Sequence, residues 1–192
     1  MANQSSTAFG FRPLRKVGQT DNNAGLGEWM KASGSAAIYH HELTAMQATG
    51  YVISAGAGGG TLVGSLNGSF YTDPTTSKPT WSNYAPSIEA SDHTCLINDN
   101  PQTMFEMMTL RTDLTNPGSV GANCDIVVGT GSTTSPFSSQ NSLGAVAPVA
   151  AATQMKILGL TRDTLSQDVT VAGSVWRVMI NEHLLGNNAI GI

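Results

Sequence analysis

The run Gly68-Ser69-Phe70-Tyr71-Thr72-Asp73-Pro74-Thr75-Thr76-Ser77-Lys78-Pro79-Thr80-Trp81 constrains the fold more than any other stretch of the chain. An aromatic strand breaks on Asp-Pro, passes through a Thr/Ser/Pro loop and restarts on a new aromatic. This is the punctuation of an extended, polar, β-rich protein. Nothing beside it supplies the nucleophile, base and orienting group that an active site needs. The segment reads as part of a building block.

Composition points the same way. Only 11% of the 192 residues are charged, against roughly 25% in ordinary soluble domains. With 19 Ser, 21 Thr and 21 Gly, the surface takes its polarity from hydroxyls and amides. That profile suits β-structure with Gly-bearing turns, and it suits a subunit whose surface is partly covered by neighbours. A formal net charge of −4 argues against the nucleic-acid backbone as main ligand. The apolar runs fall far short of the ~18 residues of a membrane span, and the first residues carry no signal-peptide pattern. Cys95 and Cys124 are the only cysteines, with no Cys-x-x-Cys, and are expected to be reduced, half-buried strand residues.

Residues 1–35 read as an extended arm, with isolated apolar residues and no sustained period. Within them Phe9-Gly10-Phe11-Arg12-Pro13-Leu14-Arg15-Lys16 packs two aromatics, a proline and three cations into eight residues. Pro13 pushes Arg12 toward an extended conformation, so this piece is expected to lie as a strap. Residues 36–192 form the single domain. Strands are expected at 36–40, 51–54, 61–63, 69–72, 124–128, 154–160 and 174–181, with Asn67-Gly68 as a hairpin turn. Residues 42–47 fit a helical turn or a loop. Around Asn98-Asp99-Asn100-Pro101 a turn between two antiparallel strands is favoured, with a helix capped by Asn100 as the alternative. Trp176, Val178 and Ile180 share one strand face. The tracts 129–142 and 144–153 are low-complexity loops.

Sites with chemistry fare poorly. His40-His41-Glu42 lacks the i, i+4 spacing of a zinc helix, and strand alternation would send the two imidazoles to opposite faces. His93 and Cys95 fit one strand face but lack an orienting group. Gly56-Ala57-Gly58-Gly59-Gly60 misses the sixth-position glycine and following helix of a dinucleotide loop. No cofactor and no metal is expected. A carboxylate pair able to hydrolyse a glycoside would meet only in the fold. Tyr71, Trp81 and Tyr84 offer rings for stacking on a sugar, although core and loop-anchoring roles suit them better.

Five blocks, taken in order, carry a family likeness. They are Gly10–Leu14, Asn67–Thr76, Pro101–Glu106, Gly129–Thr134 and Ile180–His183. Together they resemble the cement or decoration proteins of tailed bacteriophages, the cyanophage kind above all, and Asn67–Thr76 is the most specific block. The resemblance implies a non-enzymatic β-rich module, a compact barrel or sandwich, on the outer face of the capsid. It would bind the major capsid protein and cross-link capsomers after synthesis in the bacterial host cytoplasm. Phe9, Phe11, Arg12, Arg15 and Lys16 are the expected capsid-binding residues, the rings filling pockets and the cations meeting acids. The thin charge and the bland loops favour a small cyclic homo-oligomer with those loops at the subunit contacts, a homotrimer before a homodimer. A receptor- or glycan-binding virion module using Tyr71, Trp81 and Tyr84 is the alternative, and a hydrolase comes third.

Overall fold

A computed structural model of the chain describes residues 3, 8–17, 25–56, 61–129, 131, 142–147 and 153–186. In chain order the strands are β1 (Arg12–Lys16), β2 (Gly27–Met30), β3 (Leu43–Met46), β4 (Val52–Ser54), β5 (Leu62–Thr72), β6 (Pro79–Ser82), β7 (Thr94–Asn98), β8 (Thr103–Met108), β9 (Asn123–Val127), β10 (Ser142–Ala147), β11 (Met155–Leu160) and β12 (Val175–Ile180). One 3-10 turn at Thr164–Ser166 is the sole helical element among the described residues.

Six strands make sheet A, in the order β1-β8-β12-β11-β9-β10, and six make sheet B, in the order β2-β7-β5-β3-β4 with β6 added beside β5. Neighbouring strands run antiparallel throughout. The chain is mostly β, as expected, and the two open sheets form a sandwich, not a closed barrel.

Alternation builds the core between the sheets. From sheet A, Phe105 and Met107 of β8, Ile126 of β9, Ile157 of β11, and Trp176, Val178 and Ile180 of β12 point inward. Leu43 and Ala45 of β3 and Leu62 of β5 meet them from sheet B. Trp176 is fully buried and its indole N–H donates to Ser174 Oγ at 3.1 Å, so the ring's one polar atom is satisfied. A second core lies on the opposite face of sheet B. There Val63, Leu66, Cys95 and Ile97 pack beneath Ile38 and Ala85, two non-strand residues that bridge each other. Because β3 is buried on both faces, Thr44 needs an internal partner, and its hydroxyl donates to Gly64 O at 2.9 Å. Gly64 has φ +155°, and a Cβ there would collide with Asn98 O; only glycine lets β5 approach β7 so closely.

Several local expectations are corrected. Asn67-Gly68 is not a turn: β5 runs unbroken for 11 residues, with a register shift between Leu66 and Gly68. The Asn98–Pro101 turn exists, braced by Gln102 N–H on Asn100 Oδ1 and Thr103 Oγ1 on Asn98 Oδ1. It does not close a hairpin, since β7 belongs to sheet B and β8 to sheet A. Residues 36–40 contribute one bridge in place of a strand, and the stretch 42–47 holds β3. Ser142–Ala147, inside the expected loops, is a strand paired with β9. Most of the rest of those loops, with the subunit contacts expected there, lies outside the described residues.

The N-terminal segment is the largest correction. β1 completes sheet A against β8 and β2 completes sheet B against β7, so residues 12–16 and 27–30 are fold, not arm. Asn3 lies against the loop before β12, where its amide donates to Asp168 O at 2.8 Å. Phe11 is 0% exposed and meets Phe105 edge-on at 5.9 Å between ring centroids. Residues 1–20 are therefore expected to be required for folding. Phe11→Ala should cost about 3–5 kcal/mol in urea-induced unfolding, the usual toll of emptying a buried ring site. Deleting residues 1–20 should abolish the cooperative transition.

Candidate interaction surfaces

The five residues expected to grip a partner fall in four environments. Phe11 is core and offers nothing outward. Phe9 is half-buried against Ala8, Met108 and Val175, with the Arg12 guanidinium 4.8 Å above its ring. Only Arg12 and Arg15 share a face, because a register shift in β1 sets Arg12 opposite Glu106 and Arg15 opposite Met104. Lys16 sits opposite Thr103, on the other side of the strand by alternation.

The face that Arg12 and Arg15 share is the outer surface of sheet A. Register aligns Arg12, Glu106, Arg177 and Gly159 in one row across β1, β8, β12 and β11. The adjoining row holds Arg15, Met104, Met179, Lys156 and Asn123. Glu106 accepts from Arg12 at 2.6 Å through one oxygen and from the Thr161 hydroxyl at 2.7 Å through the other. A cavity of about 260 Å³ opens here, lined by Leu14, Arg15, Met104, Glu106, Arg162 and Arg177. Sequence reasoning named Arg12 and Arg15 but missed Glu106 and Arg177, which strand register brings to them, and Arg162, which the loop after β11 brings.

A second surface belongs to sheet B. Met30, Thr94, Phe70 and Trp81 lie side by side across β2, β7, β5 and β6. They share the face of β5 that carries Ser65, but here that face is uncovered. Met30 is 40% exposed, Phe70 47% and Trp81 52%. The Trp81 indole lies over Gly68, where a Cβ would clash with the ring, so a rigid apolar platform results. The Tyr71, Trp81, Tyr84 trio is not one site. Tyr71 is buried with its ring 4.9 Å from His93, and Tyr84 stacks on Tyr39 at 6.2 Å.

Several buried polar groups are committed internally, whereas His41 Nδ1, His93 Nδ1, Thr153 Oγ1 and His183 Nε2 are buried with no hydrogen-bond partner among the described residues. His93 Nε2 lies 3.2 Å from Ser69 Oγ, while the Ser69 hydroxyl donates to Tyr84 O at 2.8 Å. The serine proton is thus held by a carbonyl and is not offered to the histidine. Cys95 and Cys124 are buried and free in separate cores, and burial pushes each thiol up to about 12. Lys31, also buried, donates through Nζ to Ser35 O and Pro86 O, which ties down the covering segment. His40 and His41 occupy a turn, not a strand, and their rings touch at 3.8 Å, contrary to the alternation argument. Among the described residues, no three His, Cys, Asp or Glu side chains gather to hold a metal. Burial, and secondarily Asp125, raises the Glu182 carboxyl, but neither acid lines the sheet A cavity.

No family model, curated protein or solved structure matches the chain.

The histidines make stability depend on pH. Burial, then His40 and Arg12, lowers His41 to about 4, and burial, then Lys31, lowers His93 to about 4. Both fold as neutral rings. Below the ordinary value of 6.5 the unfolded chain takes up protons that the folded chain refuses. Stability is therefore full above 6.5 and falls as pH drops toward 4. His41 has φ +58°, which asparagine tolerates. His41→Asn should therefore fold and show a smaller loss of melting temperature on acidification than wild type. Glu42, raised by burial and of opposite sign, remains in both proteins and leaves the comparison intact.

Proposed function

We propose that this chain is a structural virion protein that binds the outer face of an assembled tailed-phage capsid and cross-links neighbouring capsomers, with no chemistry of its own. The uncovered row Met30-Thr94-Phe70-Trp81 carries this reading. Large apolar side chains aligned on one sheet face mark a surface that meets another protein. Rigid aromatics are the residues that dominate such contacts. The major capsid protein as partner comes from the family resemblance, and so does the virion surface as location.

Avidity supplies the mechanism. A lattice presents many identical sites, so a module touching two or three capsomers engages each further site at high effective concentration. Modest strips then hold firmly. A small homo-oligomer, trimer before dimer, would match local symmetry positions of the shell.

Trp81 alone favours a second reading, a receptor- or glycan-binding module, because its exposed flat ring could stack on a sugar. Tyr71 and Tyr84, turned to internal partners, lend it no support.

Co-sedimentation with capsids tests the first reading. Trp81→Ser and Phe70→Ser should melt like wild type and bind the shell more weakly, by roughly 30-fold or more for Trp81, the loss expected of a hot spot. Undiminished decoration by both variants would overturn it. Copy number in a particle map separates the two readings: hundreds over the head mean cement, a few at a vertex or tail mean recognition.

A further inference from the structure

We infer that the groove on the outer face of sheet A binds the carboxylate side chains of an acidic protein segment. This concerns a different sheet from the aromatic row and holds whatever particle the chain is mounted on.

The charge is concentrated against the trend of the molecule. The chain has 9 Lys and Arg against 13 Asp and Glu. Four of the cations, Arg12, Arg15, Arg162 and Arg177, nevertheless surround this cavity or its rim, with Glu106 the only acid in its lining among the described residues. Arg12 is spent on Glu106. Asp163, next in sequence to Arg162, is turned to its own 3-10 turn, where it accepts from Leu165 N–H and Ser166 Oγ. Arg15, Arg162 and the terminal nitrogens of Arg177 have no hydrogen-bond partner among the described residues.

The site is also held in shape. Arg177 Nε donates to Leu160 O at 3.1 Å, and the guanidinium lies over Gly159, where a Cβ would come within 3.0 Å of a terminal nitrogen. Glu106 is fixed from both sides by Arg12 and Thr161. The terminal nitrogens of Arg177 are thus held in place for an incoming acceptor at little ordering cost.

The lining selects among anions. Guanidinium forks match a carboxylate in two-point contact. Leu14 and Met104 supply an apolar wall for a methylene stem, which glutamate or aspartate has and inorganic phosphate lacks. Glu106 penalises the second negative charge that a phosphate would carry on the one group facing the arginines. Among the described residues no aromatic lines the cavity, so none offers a nucleobase a stacking platform there. β1 ends sheet A, which gives an extended segment a strand edge to follow past Arg15.

The test uses the whole chain and a capped hexaglutamate peptide, measured by calorimetric titration at neutral pH and low salt. Hexaglutamine, inorganic phosphate and oligothymidylate are the comparison ligands. Hexaglutamate should bind, hexaglutamine should not, and added salt should weaken the complex. Arg15→Gln with Arg162→Gln should weaken binding by roughly tenfold for each charge-assisted hydrogen bond to the peptide that is removed. Lys78→Gln, on the β5–β6 loop, should leave it unchanged. If the double variant fails to melt cooperatively, Arg162→Gln alone, in an exposed loop, must still show its roughly tenfold weakening. The inference is overturned if hexaglutamate does not bind, if the arginine variants bind it like wild type, or if phosphate or oligothymidylate binds more tightly.

Discussion

Phe11 is the point at which the two sheets become one fold. Its N–H donates to His41 O at 2.7 Å, and its carbonyl accepts from the Ser65 hydroxyl at 2.5 Å on β5. Both partners belong to the sheet B side. Its ring sits in the inter-sheet core against Phe105 of sheet A, and the next residue enters β1. One residue therefore fastens the N-terminal strand to both layers. The strand takes its phase from there: with Phe11 and Pro13 on the core side, Arg12 appears on the far face of the sheet, and the register shift between Pro13 and Arg15 brings Arg15 to the same face.

That phase explains the division of labour between the surfaces. Sheet A turns its apolar residues inward and carries a charged row outside, where Arg12, Glu106 and Arg177 stand in cross-strand register. Sheet B buries one face under the Ile38–Ala85 bridge and leaves part of the other open at Met30, Phe70 and Trp81. Five of the chain's nine cations, Arg12, Arg15, Lys16, Lys156 and Arg177, lie on strands of sheet A, and the uncovered apolar row falls on sheet B. The two surfaces differ in chemistry, and a partner for one is not a partner for the other.

How much of this is legible in the sequence depends on the range of the forces involved. β11 and β12 announce themselves because one face of each is buried, which imprints the two-residue alternation on Ile157, Trp176, Val178 and Ile180. β3 is buried on both faces, so Leu43-Thr44-Ala45-Met46 shows no alternation and fits a helical turn or a loop as readily as a strand. The Asp73-Pro74 break is legible because its chemistry is local: Asp73 accepts the N–H groups of Thr75 and Thr76. Turn chemistry says where a chain reverses but not what it then pairs with. Asn98–Pro101 therefore has the residues of a hairpin turn while joining separate sheets. The segment 1–35 has the sparse apolar residues of an arm, yet Phe11 in the core and the pairing of β1 and β2 make its residues 11–16 and 27–30 part of the fold. The groove is the least legible feature. Its residues lie far apart in the chain, and only strand register and the loop after β11 make them neighbours.

The three tryptophans occupy three solvent environments. Trp176 is sealed in the inter-sheet core, Trp29 is half-buried with its N–H on Asp99 at 3.0 Å, and Trp81 stands 52% exposed over Gly68. The molecule thus carries its own set of optical reporters. A soluble quencher will reach Trp81 first and Trp176 only when the sheets part. A ligand seated on the aromatic row would shield the outermost indole while leaving the innermost untouched. Fluorescence of the unlabelled protein can therefore tell docking from unfolding in one sample.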